Sequence, residues 1–179
     1  GDDYGSLNAQ NEKPLAGKKV MLESSSPNTN KPLHLGHLRN DALGESVSRI
    51  LKKAGAEVFK VNIINNRGVH ICKSMLAYII NHSGKPEYVT ETGISPDFKF
   101  TLKDTPESLG VKSDRFVGDC YVEFEKLCKP TGCTEDEEKA LRTKYEAIAQ
   151  SMIVEWEKGN EEIRKHWQQK NDWAIGGIK

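Results

Sequence analysis

Two histidines, His34 and His37, lie three positions apart and enclose a glycine in the segment His34-Leu35-Gly36-His37. Imidazole N–H groups can donate hydrogen bonds to phosphate oxygens, whose negative charge grows during attack at phosphorus. Gly36 has no Cβ and lets an adenine ring or a phosphate approach the backbone closely. Lys31 adds a mobile cation to the same loop. These residue types predict a loop that cradles a triphosphate.

The elements around this loop predict a βαβ unit. Residues 18–24 form an apolar run of strand length, a turn-rich segment 25–32 follows, and a helix is expected to start near Gly36. Residues 57–64 are the second strand. The two strands should be parallel with a right-handed crossover, and ligands bind at the carboxyl ends of such strands. The start of the helix also favours an anion.

Leu43, Val47, Ile50, Leu51 and Ala54 fall on one face at helical spacing, which supports the helix prediction. Gly55 is well placed to end the helix.

The rest of the chain is predicted to be mostly helical. After a turn at 65–68, helices are expected at 69–81, 112–128, 134–158 and 160–174. Thr134 with Glu137 matches a capping box, and Gly159 with Asn160 marks a stop and a restart. A short strand is expected at Phe98–Leu102. Trp156, Trp167 and Trp173 are interpreted as helix packing rather than as a surface for stacking nucleobases.

The predicted organisation has four parts. Residues 1–17 are a flexible leader, and 18–82 are the first half of a Rossmann-like α/β nucleotide-binding domain with parallel strands. Residues 83–112 are an irregular insertion, and 113–179 are a helical segment.

Composition argues against two classes of protein, non-specific nucleic-acid-binding proteins and membrane proteins. Apolar residues make up 36% and charged residues 29% of the 179 residues, and the formal net charge is zero. This balance argues against a broad non-specific nucleic-acid surface. The chain has no run of about 18 apolar residues and no signal-peptide pattern, so no membrane segment and a cytoplasmic location are expected.

The four cysteines are too sparse for a disulfide framework. Together with His70, the residues Cys72, Cys128 and Cys133 could supply zinc ligands, but the spacing is unusual, and no metal site is expected.

A longer string around the histidines carries a resemblance to a known family. Residues 23–39, E-S-S-S-P-N-T-N-K-P-L-H-L-G-H-L-R, closely resemble the signature loop of the arginyl-tRNA synthetases, which are class I aminoacyl-tRNA synthetases. The resemblance implies that ATP, used with Mg²⁺, activates arginine to arginyl-adenylate, and that the arginyl group then passes to tRNA(Arg). The Ser-Ser-Pro-Asn-x-x-Lys-Pro extension favours the arginine enzymes over other class I nucleotidyl transferases.

The resemblance also implies roles for individual residues. The catalytic residues would be His34, His37 and Lys31; the ATP-binding residues would be His34, Gly36, His37, Lys31 and Pro27; and the arginine-binding residues would be Glu23, Ser26, Asn28 and His34. Glu23 would meet the substrate's ammonium or guanidinium group.

Other features depart from the family pattern. Asn66 stands where the family usually has Asp, and there is no Lys-Met-Ser-Lys loop, second catalytic half or anticodon-binding domain in the 179 residues. We therefore expect this fragment alone to be monomeric and inactive. The alternatives are another class I adenylyl or nucleotidyl transferase and a non-catalytic scaffold module.

Overall fold

A computed structural model describes residues 13–30 and 33–178, which divide into two compact units. The first, called the βαβ unit here, comprises residues 13–27 and 33–64. The second, called the helical unit, comprises residues 28–30 and 65–178. No helix in the described ranges is long and apolar enough to cross a membrane.

The βαβ unit contains strand β1 (Lys19–Glu23), helix α1 (Leu35–Lys53) and strand β2 (Glu57–Val61). The strands pair in parallel, in a register that runs from Lys19 opposite Glu57 to Glu23 opposite Val61. The predicted parallel pair is confirmed, although β2 ends three residues before the predicted end at Ile64. The first twelve residues of the predicted leader lie outside the described residues. Its last part, residues 13–17, forms a turn in which the Leu15 N–H donates to the Ala54 carbonyl.

The predicted apolar face of α1 is not the buried face of this unit. Leu43, Val47 and Ile50 are exposed, and the buried positions are Gly44 and Ser48. At Gly44 the helix lies close to the chain that follows β1, because a Cβ added there would lie 2.5 Å from the Ser24 Cβ. Small residues therefore set the close approach of the helix to the chain beyond β1, and the larger apolar side chains lie outside it.

The helical unit follows the predicted segments closely. Its elements are α2 (Val69–Asn81), a 3₁₀ turn (Pro86–Tyr88), α3 (Pro106–Leu109), α4 (Ser113–Cys128), α5 (Glu135–Lys158) and α6 (Glu161–Ile178).

Helix α2 is the centre of the helical unit, because every residue from Ile71 to Ile79 is buried. A helix that is buried on all sides is typical of a core element. The ring of Tyr78 lies within 6.2 Å, between centroids, of the rings of Phe116, Trp173 and His166. Trp173 is thus a core residue, as predicted.

The predicted strand at Phe98–Leu102 is wrong. This segment has no ladder, and its backbone groups find side-chain partners instead: the Phe100 N–H donates to Glu162 Oε2 at 2.8 Å. Phe98 is buried in the core, so the apolar residues that suggested a strand serve as anchors for an irregular segment.

The predicted limits of α5 and the predicted start of α6 are confirmed by their caps, whereas α6 continues to Ile178, beyond its predicted end at 174. Thr134 Oγ1 accepts from the Glu137 N–H, and Glu137 accepts from the Thr134 N–H. Gly159 ends α5 in the left-handed conformation with φ 93°. Asn160 Oδ1 accepts from the N–H groups of Glu162 and Ile163.

Burial raises the pKa of Cys72 to about 12 and that of Cys128 to about 11, so both thiols are protonated in the core near neutral pH. Protonated thiols are poor metal ligands. Among the described residues, the donors that do cluster are His82, Cys120 and Glu123, whose ligand atoms lie within 4.8 Å of one another. Lys170 Nζ already contacts Cys120 Sγ at 3.0 Å.

His82 links α2 to α4 through an ion pair. Its Nε2 lies 2.9 Å from Glu123 Oε2, and its Nδ1 lies 3.2 Å from Asp104 Oδ2. The hydrogen bond with Glu123 raises the pKa of His82, in opposition to burial. A raised folded-state pKa stabilises the fold fully below the unfolded pKa, and this contribution is lost as the pH rises through the folded pKa.

We predict that His82→Gln lowers the free energy of unfolding more at about pH 6 than at about pH 9, by on the order of 1 kcal/mol. Urea unfolding at the two pH values measures this difference. Glu125→Gln on α4, the helix that also carries Glu123, removes an ion pair with Arg142; it is the matched control and should show no such pH dependence over this range. An equal loss for His82→Gln at both pH values would contradict the assignment.

Candidate active site

The chain leaves β1 through a strained turn that brings Ser26 back to Glu23. Ser25 and Ser26 have φ of 68° and 44°, which non-glycine residues adopt at a cost of about 1–3 kcal/mol each. The Ser26 N–H donates to the Ser24 carbonyl at 2.9 Å, and Ser26 Oγ donates to Glu23 Oε1 at 2.5 Å. One carboxylate oxygen of Glu23 is therefore held, while the side chain remains exposed at the end of the strand.

This turn opens a cavity of about 350 Å³ in the βαβ unit. Its lining comes from β1, the turn and α1, and consists of Leu22, Glu23, Ser24, Ser25, Ser26, Asn40, Leu43, Gly44 and Val47. Glu23 is the ionisable group in that lining, surrounded by hydroxyl, amide and apolar groups. The cavity can therefore receive a cationic group at Glu23 and neutral polar groups around it.

His34 and His37 form the N-terminal cap of α1. His34 Nδ1 accepts from the Gly36 N–H at 3.1 Å, and His37 Nδ1 accepts from the His34 N–H at 3.1 Å. The two ring centroids are 4.1 Å apart. Because both Nδ1 atoms accept, each neutral ring carries its proton on Nε2. The cap thus leaves two N–H donors on the imidazoles at the helix N-terminus, where the macrodipole favours an anion.

The cap itself requires a glycine at position 36. The sequence alone does not show this requirement. A Cβ at this position would lie 2.8 Å from His34 Cε1 and 3.0 Å from His34 Nδ1. The His34 ring therefore packs against the bare Cα of Gly36. The first turn of α1 has no acidic residue that would repel a phosphate.

Asn28 belongs to the helical unit. Its Oδ1 accepts from Asn65 Nδ2 at 2.9 Å, and the neighbouring Thr29 N–H donates to the Asn65 carbonyl at 3.2 Å. Thr29 and Asn30 are each only 2% exposed, whereas the Asn28 side chain is accessible. The loop after β2 therefore holds this end of the predicted substrate loop.

The structure brings the predicted residues together in three groups. Glu23 contacts Ser26, His34 contacts Gly36 and His37, and Asn28 contacts Asn65; Pro27 is buried. Lys31 lies outside the described residues. Sequence reasoning missed Asn65 and Gly44: the turn pattern at 65–68 marked Asn65 without its partner, and nothing in the pattern marked Gly44.

Comparison with known proteins decides the family. Residues 6–175 match the family described as "tRNA synthetases class I (R), catalytic domain". The chain belongs to this family.

Curated relatives agree with the class I assignment. The chain is similar to proteins named "Arginine--tRNA ligase" from Treponema denticola (52% identical over 99% of this chain and 25% of the relative) and Treponema pallidum (47% over 92% and 23%). A relative of the same name from Borrelia hermsii is 43% identical over 99% of this chain and 26% of its own length. The chain thus spans about a quarter of the length of these ligases.

We predict that Gly36→Ala lowers stability, although alanine usually stabilises a helix relative to glycine by about 0.5–1 kcal/mol. The new Cβ must displace the His34 ring, and losing the cap costs about 0.5–2 kcal/mol. Thermal unfolding of the variant measures the outcome.

Gly176→Ala is the matched control, since a Cβ at this position in α6 meets nothing within 4 Å and should raise stability. In a His34→Ala background, Gly36→Ala should also become stabilising. If Gly36→Ala stabilises the protein while His34 is intact, the capping arrangement is refuted.

Proposed function

We propose that this chain is part of the catalytic domain of an arginine–tRNA ligase. The enzyme activates arginine with ATP to give arginyl-adenylate and pyrophosphate, and then transfers the arginyl group to tRNA(Arg). The observation that carries the proposal is the imidazole cap of α1, which presents two Nε2–H donors at a helix N-terminus in a chain whose relatives are arginine–tRNA ligases.

In the activation step, the arginine carboxylate oxygen bonds to the α-phosphorus of ATP, and the bond to pyrophosphate breaks. His34 and His37 donate from Nε2 to the phosphate oxygens on which charge develops. Gly36, which leaves room for the His34 ring, and Pro27 are assigned with the two histidines to ATP binding, and Lys31 adds positive charge. Mg²⁺ bound to the nucleotide would supply further positive charge to the departing pyrophosphate.

Arginine recognition is assigned to Glu23, Ser26, Asn28 and His34. The carboxylate of Glu23 pairs with the substrate cation; the hydrogen bond from Ser26 Oγ goes to Oε1, so Oε2 is the oxygen assigned to the cation. A charged hydrogen bond of this kind contributes about 1.5–3 kcal/mol. The serine hydroxyl and the Asn28 amide complete the polar end of the site.

The proposal extends to location and partners. Translation substrates and four free cysteines are in keeping with a cytoplasmic protein that uses ATP, arginine and tRNA. The 179-residue chain alone is proposed to be a monomer without turnover, because it spans about a quarter of its relatives.

One assay tests the proposal: arginine-dependent ATP–pyrophosphate exchange by the full-length protein. His37→Ala should lower kcat about 10²–10³-fold, because a donor to the transition-state charge is lost, and leave the KM for arginine within about twofold. Glu23→Gln should instead raise the KM for arginine by about tenfold or more.

Each variant is the control for the other, because one removes a phosphate donor and the other removes a partner of the substrate cation. Equal effects of His37→Ala on kcat and on arginine binding would mean that the ring is only structural. Exchange that depends on a different amino acid would contradict the arginine assignment.

A further inference from the structure

The loop that follows β2 is held by three contacts from the last two helices of the helical unit. Trp167 Nε1 of α6 donates to the Asn66 carbonyl at 2.6 Å. Arg67 forms an ion pair with Glu157 of α5, and its guanidinium lies 5.6 Å from the centroid of the Trp156 ring. A hydrogen bond, an ion pair and a cation–π contact thus converge on two consecutive residues of a short loop.

The aromatic pair that makes these contacts is itself fixed. Trp156 and Trp167 pack edge to face with centroids 5.2 Å apart. Arg164 donates from Nε to the Trp156 carbonyl at 3.0 Å and lies over the Trp156 ring at 5.3 Å. The left-handed Gly159 allows the sharp turn between α5 and α6 that brings the two rings together. The α5–α6 hairpin therefore presents Trp167 Nε1 in a defined place.

The held loop in turn holds Asn28. Asn65, which precedes the fixed Asn66, donates from Nδ2 to Asn28 Oδ1 at 2.9 Å and accepts from the Thr29 N–H. The two asparagines also form a parallel β-bridge. Asn28 Oδ1 already accepts a hydrogen bond from Asn65. The Nδ2 group of Asn28 is therefore the part of the amide that can donate to a ligand.

We propose that Trp167 is a positioning residue for the arginine site. Its indole N–H fixes the Asn66 carbonyl, which fixes Asn65, and Asn65 orients the Asn28 amide so that Nδ2 donates to an oxygen of the substrate. The proposal rests on the arginine-binding role proposed above for Asn28. It gives α5 and α6, far along the chain from the substrate loop, a part in substrate affinity.

A double-mutant cycle on the full-length protein tests this chain of contacts in the pyrophosphate-exchange assay. Trp167→Phe keeps an aromatic ring against Trp156 and removes the N–H donor together with part of the ring. The KM for arginine should rise about fivefold, while kcat and the KM for ATP change less than about twofold. In an Asn28→Ala background, the same substitution should change the KM for arginine by less than about twofold, because Trp167 acts through Asn28.

Trp173→Phe is the matched control. It makes the same Trp-to-Phe change in α6, at a core residue that is 7% exposed. It should therefore lower the melting temperature and leave the KM for arginine unchanged. Asn65→Ala changes an exposed side chain, so folding is retained, and it removes the direct partner of Asn28. It should raise the KM for arginine and show the same non-additivity.

The outcomes separate the possibilities. The proposal would be overturned if the fold-changes in the KM for arginine caused by Trp167→Phe and Asn28→Ala multiplied in the double variant. It would also be overturned if the KM for arginine were unchanged in both Trp167→Phe and Asn65→Ala. A Trp167→Phe effect matched by Trp173→Phe would mean that the residue only stabilises the helical unit. Lack of arginine-dependent exchange in the wild-type protein would contradict the proposed function instead.

Discussion

The candidate site depends on one interaction, the acceptance of backbone N–H groups by the Nδ1 atoms of His34 and His37. A helix start leaves several N–H groups without partners, and serine, threonine, asparagine or aspartate usually caps them. Two histidines do so here, and the cap fixes the tautomer and therefore the direction of both remaining donors. The same residues stabilise the helix and supply the Nε2–H donors that we propose to bind phosphate. Gly36 is tied to them because only a residue without Cβ leaves room for the His34 ring.

The polar residues proposed to bind arginine are positioned by hydrogen bonds to different partners. Glu23 is held by Ser26 across a turn with two strained serines, whereas Asn28 is held by Asn65 within the helical unit. Strain of this kind persists only where surrounding contacts maintain it, and it is frequent at functional sites. The loop from 65 to 68 is therefore more than a connection. Its anchors on α5 and α6 fix the residues that hold Asn28 within the helical unit.

Local patterns predicted much of the fold because they report local physics. The limits of α2, the Thr134 capping box and the parallel pair of strands all follow from periodicity, caps and turn residues. The errors arose where tertiary context decides. Phe98 was predicted to lie in a strand and is instead buried in the core of the helical unit. In α1 the buried residues are Gly44 and Ser48, which helical spacing of apolar residues does not mark. The motif identified His34, Gly36 and His37, but the contact between Asn28 and Asn65, 37 positions apart, has no signal in one sequence.

The most direct test of the account is the protonation site of the two capping imidazoles, measured by ¹⁵N NMR of the histidine side chains near neutral pH, with His34→Ala and His37→Ala spectra to assign the signals. The cap predicts that both rings carry hydrogen on Nε2 and present Nδ1 as an acceptor. Addition of a non-hydrolysable ATP analogue to the full-length protein should shift the Nε2–H signals. Rings protonated on Nδ1, or Nε2–H signals that do not respond to the nucleotide, would contradict the claim that the cap of α1 aims these donors at phosphate.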